Sequence, residues 1–361
     1  MLYYLAAAKS IHRRCETFTV PLHINATGYT LSNVPRFTNG YEAQAFLLEL
    51  TGRDAPADFS SYLGQTRQVE VDVTVSARYC TPDKGGNEIM HLLSHGLGED
   101  RSYWDFNRDY SYVNHALEKG YSTLAYDRIG NGRSSRHDPF DVLQAPVELA
   151  VLQELTRKLR GGKLHRRVPR PAKVVHVGNS FGSAISNALV ATTPELSDGI
   201  VLGGYTHNGN YLSGFTLAAG FHLARETNPE RLKHLSPGYL TWPDKYALQY
   251  AYYFWPNFEP RIITKADDTK SSFTMGEFLT IATLPLQADH FPGPVLNDRL
   301  FCGGNCTGIL DGPDSISESL FPASSTFETY IHPSTGHEMA LHLNASGWQD
   351  VAFDFIKEHV I

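Results

Sequence analysis

The chain has no surplus of positive charge: 31 Lys and Arg stand against 38 Asp and Glu, for a net charge of −7. A protein that grips nucleic acid needs a basic face to displace counterions from phosphates, so this balance argues against that class of partner. The one Lys/Arg-rich stretch, Lys163 to Arg170, reads as a solvated connection between a helix and a strand. Long hydrophobic runs are missing as well. Nothing reaches the roughly 18–20 apolar residues of a membrane span. Met1 to Ala8 is similar to a shortened signal-peptide core ending in small residues, but it lacks the basic residues that precede such a core. The compartment is therefore left open, as is the oligomeric state.

Cysteine is scarce: Cys15, Cys80, Cys302 and Cys306. No second Cys/His cluster accompanies them, which argues against a zinc site. Their even number is compatible with two disulfides, and Cys15–Cys80 with Cys302–Cys306 is one of three possible pairings. N-glycosylation sequons begin at Asn25, Asn305 and Asn344, a number close to chance. No internal repeat or low-complexity tract occurs.

What is present is 361 residues with 42% hydrophobic content, enough for one large α/β domain carrying an insertion. Residues 1–68 are rich in Thr, Asn, Gly and Pro and read as an irregular arm. From Glu70 the pattern turns regular, with strands at Glu70–Ser76, Ile89–Leu93 and Tyr121–Asp127 and a helix at Tyr112–Lys119. A second helix spans Pro146–Arg160, where apolar residues recur at helical spacing. Further strands are expected at Val174–Val177, Ile200–Gly204, Pro294–Asp298 and Phe327–His332, with a closing helix over Gly347–His359. Strands alternating with helices specify a mostly parallel sheet covered on both faces. The rhythm breaks over 205–290, an aromatic stretch with helical spacing in places and no obvious strand. It reads as a helical cap inserted into a core of 69–204 and 291–361.

Chemistry concentrates at Gly178-Asn179-Ser180-Phe181-Gly182. A strand that ends in Gly-x-Ser-x-Gly and runs straight into a helix places its serine on a sharp turn, with the hydroxyl lifted clear of the sheet. Serine needs a base, and the base needs a carboxylate to orient it. Of sixteen histidines, His337 follows the last strand, where the base belongs in the order Ser…Asp/Glu…His; His332 and His342 read as packing groups. Asp298 follows the preceding strand and is the expected acid, with Asp311 and Asp314 as alternatives. Backbone N–H groups of Phe181 and Leu97 are the expected oxyanion donors, and His95 reads as a buttress of the loop containing Gly96. Asp127 to Ser134 lacks phosphate-loop spacing and reads as a turn bracing the serine. Gly96, Phe254 and Trp255 are the expected substrate contacts. The partner is a small-molecule substrate, and no metal or organic cofactor is required.

His95-Gly96, Asp127-Arg-Ile-Gly-Asn-Gly-Arg-Ser134, Gly178-Asn-Ser-Phe-Gly182 and Gly336-His337, in that order, resemble the α/β-hydrolase superfamily over residues 69–361. Ser94 to Trp104, Phe301 to Cys306 and Gly336 to His342 are further similar to fungal hydrolases, often secreted or linked to secondary metabolism. The resemblance implies a serine esterase or lactonase. Alternatives are carbon–carbon bond cleavage or another polyketide-tailoring step, amide hydrolysis, and a non-catalytic binding shell. The family's apolar strand before the acid is longer than Val295-Leu296, and this departure is what keeps Asp311 and Asp314 in contention.

Overall fold

The computed structural model describes residues 13–52, 59–207, 209, 212–298 and 316–360. Cys302, Cys306, Asn305, Asp311 and Asp314 lie outside them.

The segment expected to be irregular opens instead with a long strand, β1 (Arg13–Leu31). It pairs antiparallel with β2 (Leu63–Pro82), beginning at Arg13 opposite Pro82. The signal was present: Phe18, Val20, Leu22 and Ile24 alternate and are all buried. Pro21 hides it, since proline cannot donate to a ladder and is found on edge strands. β1 is indeed the sheet edge, and Pro21 is exposed. Helix α1 (Gly40–Thr51) follows, started by the Asn39 side chain accepting from the Glu42 N–H at 3.1 Å.

Cys15 and Cys80 face each other across β1 and β2 and form a disulfide that closes a sequence separation of 65. Cross-linking so long a loop restricts the unfolded chain. Its reduction is expected to cost about 2–4 kcal/mol, measured as a lower denaturant midpoint for reduced than for oxidised protein.

The remaining core elements are β3 (Ile89–Ser94), α2 (Tyr112–Glu118), β4 (Ser122–Tyr126), α3 (Ala145–Arg160), β5 (Lys173–Asn179), α4 (Phe181–Thr192) and β6 (Gly199–Gly203). All match the expected positions within a residue or two. The segment 205–290 holds α5 (Leu212–Ala219), β7 (His222–Leu223), α6 (Ala224–Thr227), α7 (Pro229–Leu232), β8 (Tyr239–Thr241), α8 (Lys245–Tyr252), α9 (Pro260–Thr269), β9 (Phe273–Thr274) and α10 (Met275–Thr280). β7, β8 and β9 form a small antiparallel sheet. Strands of two or three residues are too short to leave an alternating pattern, so the sequence suggested helices alone. The chain closes with β10 (Val295–Asp298), α11 (Ile316–Ser319), β11 (Phe327–Tyr330) and α12 (Ala345–His359).

The large sheet runs β1-β2-β4-β3-β5-β6-β10-β11. β1, β2 and β4 meet antiparallel and every later pair is parallel. Burial follows the pleat. Val175, Val177, Val201 and Leu296 join the aromatic cluster under α2 and α12. Val174, Ile200, Leu202 and Val295 face the opposite way, toward α3 and α4. Short as β10 is, its register is intact, with Asp298 opposite Gly203 on one side and Tyr330 on the other.

Candidate active site

β5 leads directly into α4 through one residue, and that residue is Ser180. Its backbone sits at φ 55° and ψ −118°, a conformation that costs a side-chain-bearing residue of order 1–3 kcal/mol and is found where structure serves function. Neighbouring bonds hold it there: its N–H donates to the Gly203 carbonyl at 2.8 Å, and its own carbonyl accepts from Ser183 at 2.9 Å. The flanking glycines are sterically required. A methyl at Gly178 would overlap the Ser183 backbone, and one at Gly182 would overlap the Ser94 carbonyl oxygen. Ser180 is half-buried, whereas Val174–Asn179 before it and Phe181–Val190 after it are buried.

Opposite the serine lies the loop after β3. Gly96 passes so close that an added Cβ would stand 3.1 Å from the Ser180 Cβ. Among the described residues no hydrogen bond engages the Leu97 N–H, and Phe181 opens α4, where backbone donors have no intrahelical acceptor. These are the two expected oxyanion donors. His95 is wholly buried and its Nε2 accepts from the Arg128 N–H at 3.0 Å, so its Nδ1 carries the proton and donates to the Gly96 carbonyl at 2.9 Å. Burial first, then the nearby Arg128 charge, hold its pKa well below the ordinary histidine value. This neutral ring buttresses the loop.

Arg128 explains why the Asp127–Ser134 turn belongs beside the serine. Its guanidinium lies 4.6 Å over the Phe181 ring and donates to the Gly96 carbonyl at 3.2 Å. It also bonds Glu148 of α3 at 3.2 Å and Glu277 of α10, all three side chains being fully buried. One cation thus joins the serine helix, the Gly96 loop, the core and the 205–290 segment. No sequence pattern announced Glu148 or Glu277, since carboxylates on a helix ordinarily read as a solvated face.

His337 is buried in the loop after β11. A methyl at Gly204 would touch both Asn179 Oδ1, at 3.0 Å, and the His337 ring, at 3.5 Å. The histidine therefore sits across the Gly203–Gly204 turn from the serine's neighbour. Phe215 and Tyr252 flank it, each with ring centroids at 5.4 Å; Phe215 was not foreseen. His342 organises the loop: its Nε2 accepts from the Phe254 and Gly336 N–H groups at 3.0 and 3.1 Å, while Nδ1 meets the Glu338 carbonyl at 2.7 Å. His332 bonds Tyr330 and the Asn344 carbonyl. Both are packing groups, as their spacing suggested.

Asp298 stands at the end of β10, 1% exposed. Neither carboxylate oxygen has a hydrogen-bond partner of good geometry, though the His332 N–H is near. Burial pushes its pKa up to about 8. Trp255 is 66% exposed and packs edge-on against Phe258 at 5.6 Å. Phe254 is half-buried, its N–H taken by His342. Among the described residues, no cluster of three His, Cys, Asp or Glu is placed to hold a metal ion.

The fold and this elbow define the class. The chain belongs to the alpha/beta hydrolase family, whose pattern matches residues 92–348. Among solved structures it is similar to an esterase from Exiguobacterium antarcticum, at 13% identity and TM-score 0.51 over 80% of this chain and 96% of that one. It is also similar to the enol-lactonase from Burkholderia xenovorans LB400, at 16% identity and TM-score 0.50 over 79% and 97%. No curated protein sequence matches.

Proposed function

We propose that this protein is a serine hydrolase that cleaves a carboxylic ester or lactone of an apolar or aromatic small molecule. The observation that carries the reading is the backbone of Ser180, strained between two glycines that cannot be larger, at the junction of β5 and α4. A fold does not keep such strain at a serine for packing alone.

In the proposed reaction, His337 takes the Ser180 proton as the oxygen attacks the substrate carbonyl. The Phe181 and Leu97 N–H groups receive the developing oxyanion. His337 then protonates the leaving group and activates the water that frees the acyl-enzyme. Asp298, whose carboxylate oxygens accept no well-formed hydrogen bond in this structure, is the acid assigned to orient and charge-balance the imidazole once it is ionised. No metal or organic cofactor enters these steps. A panel of p-nitrophenyl esters of rising chain length, run beside aliphatic and aromatic lactones, tests the substrate class; turnover of none of them would overturn it.

Asp298 has a signature of its own. Because burial raises its pKa to about 8, the carboxylate is present above that pH and lost as pH falls through it. As the acid behind His337 it should make kcat/KM climb between pH 7 and 9. Asp298→Asn should lower kcat by about 10³–10⁴-fold, the scale at which losing such a carboxylate acts. Asp311→Asn and Asp314→Asn should not. The reverse pattern in a steady-state assay would assign the acid to 311 or 314.

A further inference from the structure

Two more carboxyl groups stand beside the serine, and the reaction just described uses neither. Glu99 lies in the loop after β3, and Glu338 directly follows His337. Both are buried, at 9% and 3% exposure, both line the same cleft, and their carboxyl groups stand within hydrogen-bonding reach of each other. Glu99 Oε2 also accepts from the Gly96 N–H at 2.7 Å, and Oε1 from Asn179 Nδ2 at 3.2 Å. Three segments meet at this one carboxylate: the Gly96 loop, the end of β5 at Asn179, and the histidine loop.

Two carboxylates cannot share a hydrogen bond when both are ionised, since neither holds a proton and their charges repel. One must be the acid. Glu99 receives N–H donors from Gly96 and Asn179, which favour its ionised form; Glu338 has no such donors, and its second oxygen is buried without a partner. The surroundings agree. The phenols of Tyr103, Tyr252 and Tyr253 and the Arg128 guanidinium are the titratable groups that face the pair, and Lys270 and Asp100 line the same cleft. Burial pushes both carboxyls up, Glu99 to about 7 and Glu338 well above the ordinary value, with the Glu99 charge adding to the second.

We propose that Glu338 is a positioning residue: as a neutral carboxylic acid it donates to the Glu99 carboxylate, and through it fixes Gly96 and Asn179 in register with His337. This rests on the serine-hydrolase reading for its effect on turnover, but not for the contact itself. The arrangement gives the oxyanion loop a fixed height above Ser180, with the Gly96 N–H turned away to Glu99 so that the Leu97 N–H is left for the substrate.

The test compares the full-length wild type with Glu338→Gln, which keeps a donor of the same shape, and Glu338→Met, which keeps the bulk without a donor. Glu338→Met should lower kcat for a p-nitrophenyl ester by about 10–100-fold, the scale of misplacing a catalytic group by about an ångström, with KM changed less than about threefold. Glu338→Gln should recover at least tenfold of that loss. Hydrogen–deuterium exchange of the backbone over residues 94–99 should quicken in the Met variant and stay protected in the Gln variant. An infrared difference between wild type and Glu338→Gln at pH 8 should show a protonated carboxyl lost with the substitution. Equal kcat and equal exchange in the Met and Gln variants, or no protonated carboxyl in the difference, would overturn the proposal. If Glu338→Met does not fold, the infrared comparison decides. A wild type that turns over no ester would count against the hydrolase reading, while exchange and infrared still decide the Glu99–Glu338 contact.

Discussion

Replacing Ser180 by alanine is expected to remove ester turnover by about 10⁴-fold or more, with KM for any residual activity little changed. Removing a nucleophile from a serine hydrolase has costs of this order, because base and acid act only through the oxygen they activate. The loss should come without loss of fold. The Ser180 side chain makes none of the hydrogen bonds that hold the elbow, which run through its backbone to Gly203 and Ser183. Alanine tolerates φ 55° no better than serine, so the melting temperature should hold. Glycine at 180 should behave differently. It carries no Cβ penalty at positive φ, so Ser180→Gly should be equally inactive and more stable by about 1 kcal/mol. An inactive variant that is also more stable would identify the strain as belonging to function.

The second large effect is structural and centres on Arg128. Arg128→Ala removes the cation from between Glu148 and Glu277, both 0% exposed. Breaking a buried ion pair by deleting one partner is expected to cost about 3–5 kcal/mol, since the remaining charges are stranded. Thermal denaturation should report it, and its pH dependence should report the cause. Burial already raises the Glu148 pKa well above the usual carboxylate range, and Arg128 opposes that rise more than the Ile129 N–H does. Without Arg128, the folded-state Glu148 carboxyl should bind its proton more tightly still. A raised folded pKa gives stability that is present at low pH and lost as pH rises, so the deficit should be larger at pH 8 than at pH 5. A deficit independent of pH would point to lost packing over Phe181 instead of stranded charge.

The centre of the parallel sheet was legible because β3, β5 and β6 are short, mostly apolar runs bounded by turn residues, and α3 carries apolar spacing. Ser180 was legible for a local reason: strand, turn and helix are contiguous, so one short stretch of sequence encodes the geometry. His337 required only its position after the last strand. What escaped the sequence depends on pairing between distant segments. β1 was obscured by Pro21 and by the mixed composition around it, although Phe18 to Ile24 alternate. The small sheet of β7, β8 and β9 has too few residues to show a period. No sequence pattern singles out Glu99, Glu338, Glu148 or Glu277, and only the fold puts each against its partner. Asp298 was found by order along the chain, and the structure places it on β10 in register with Gly203; its role is a matter for the pH profile and the Asn variant.

The central claim is that Ser180 is an activated nucleophile. Incubation with a fluorophosphonate followed by intact-mass measurement and peptide mapping tests it without a known substrate. The expected result is one covalent adduct per chain, mapped to Ser180 and absent from folded Ser180→Ala. Folded wild-type protein that takes up no adduct, or an adduct mapped to another residue, would contradict it.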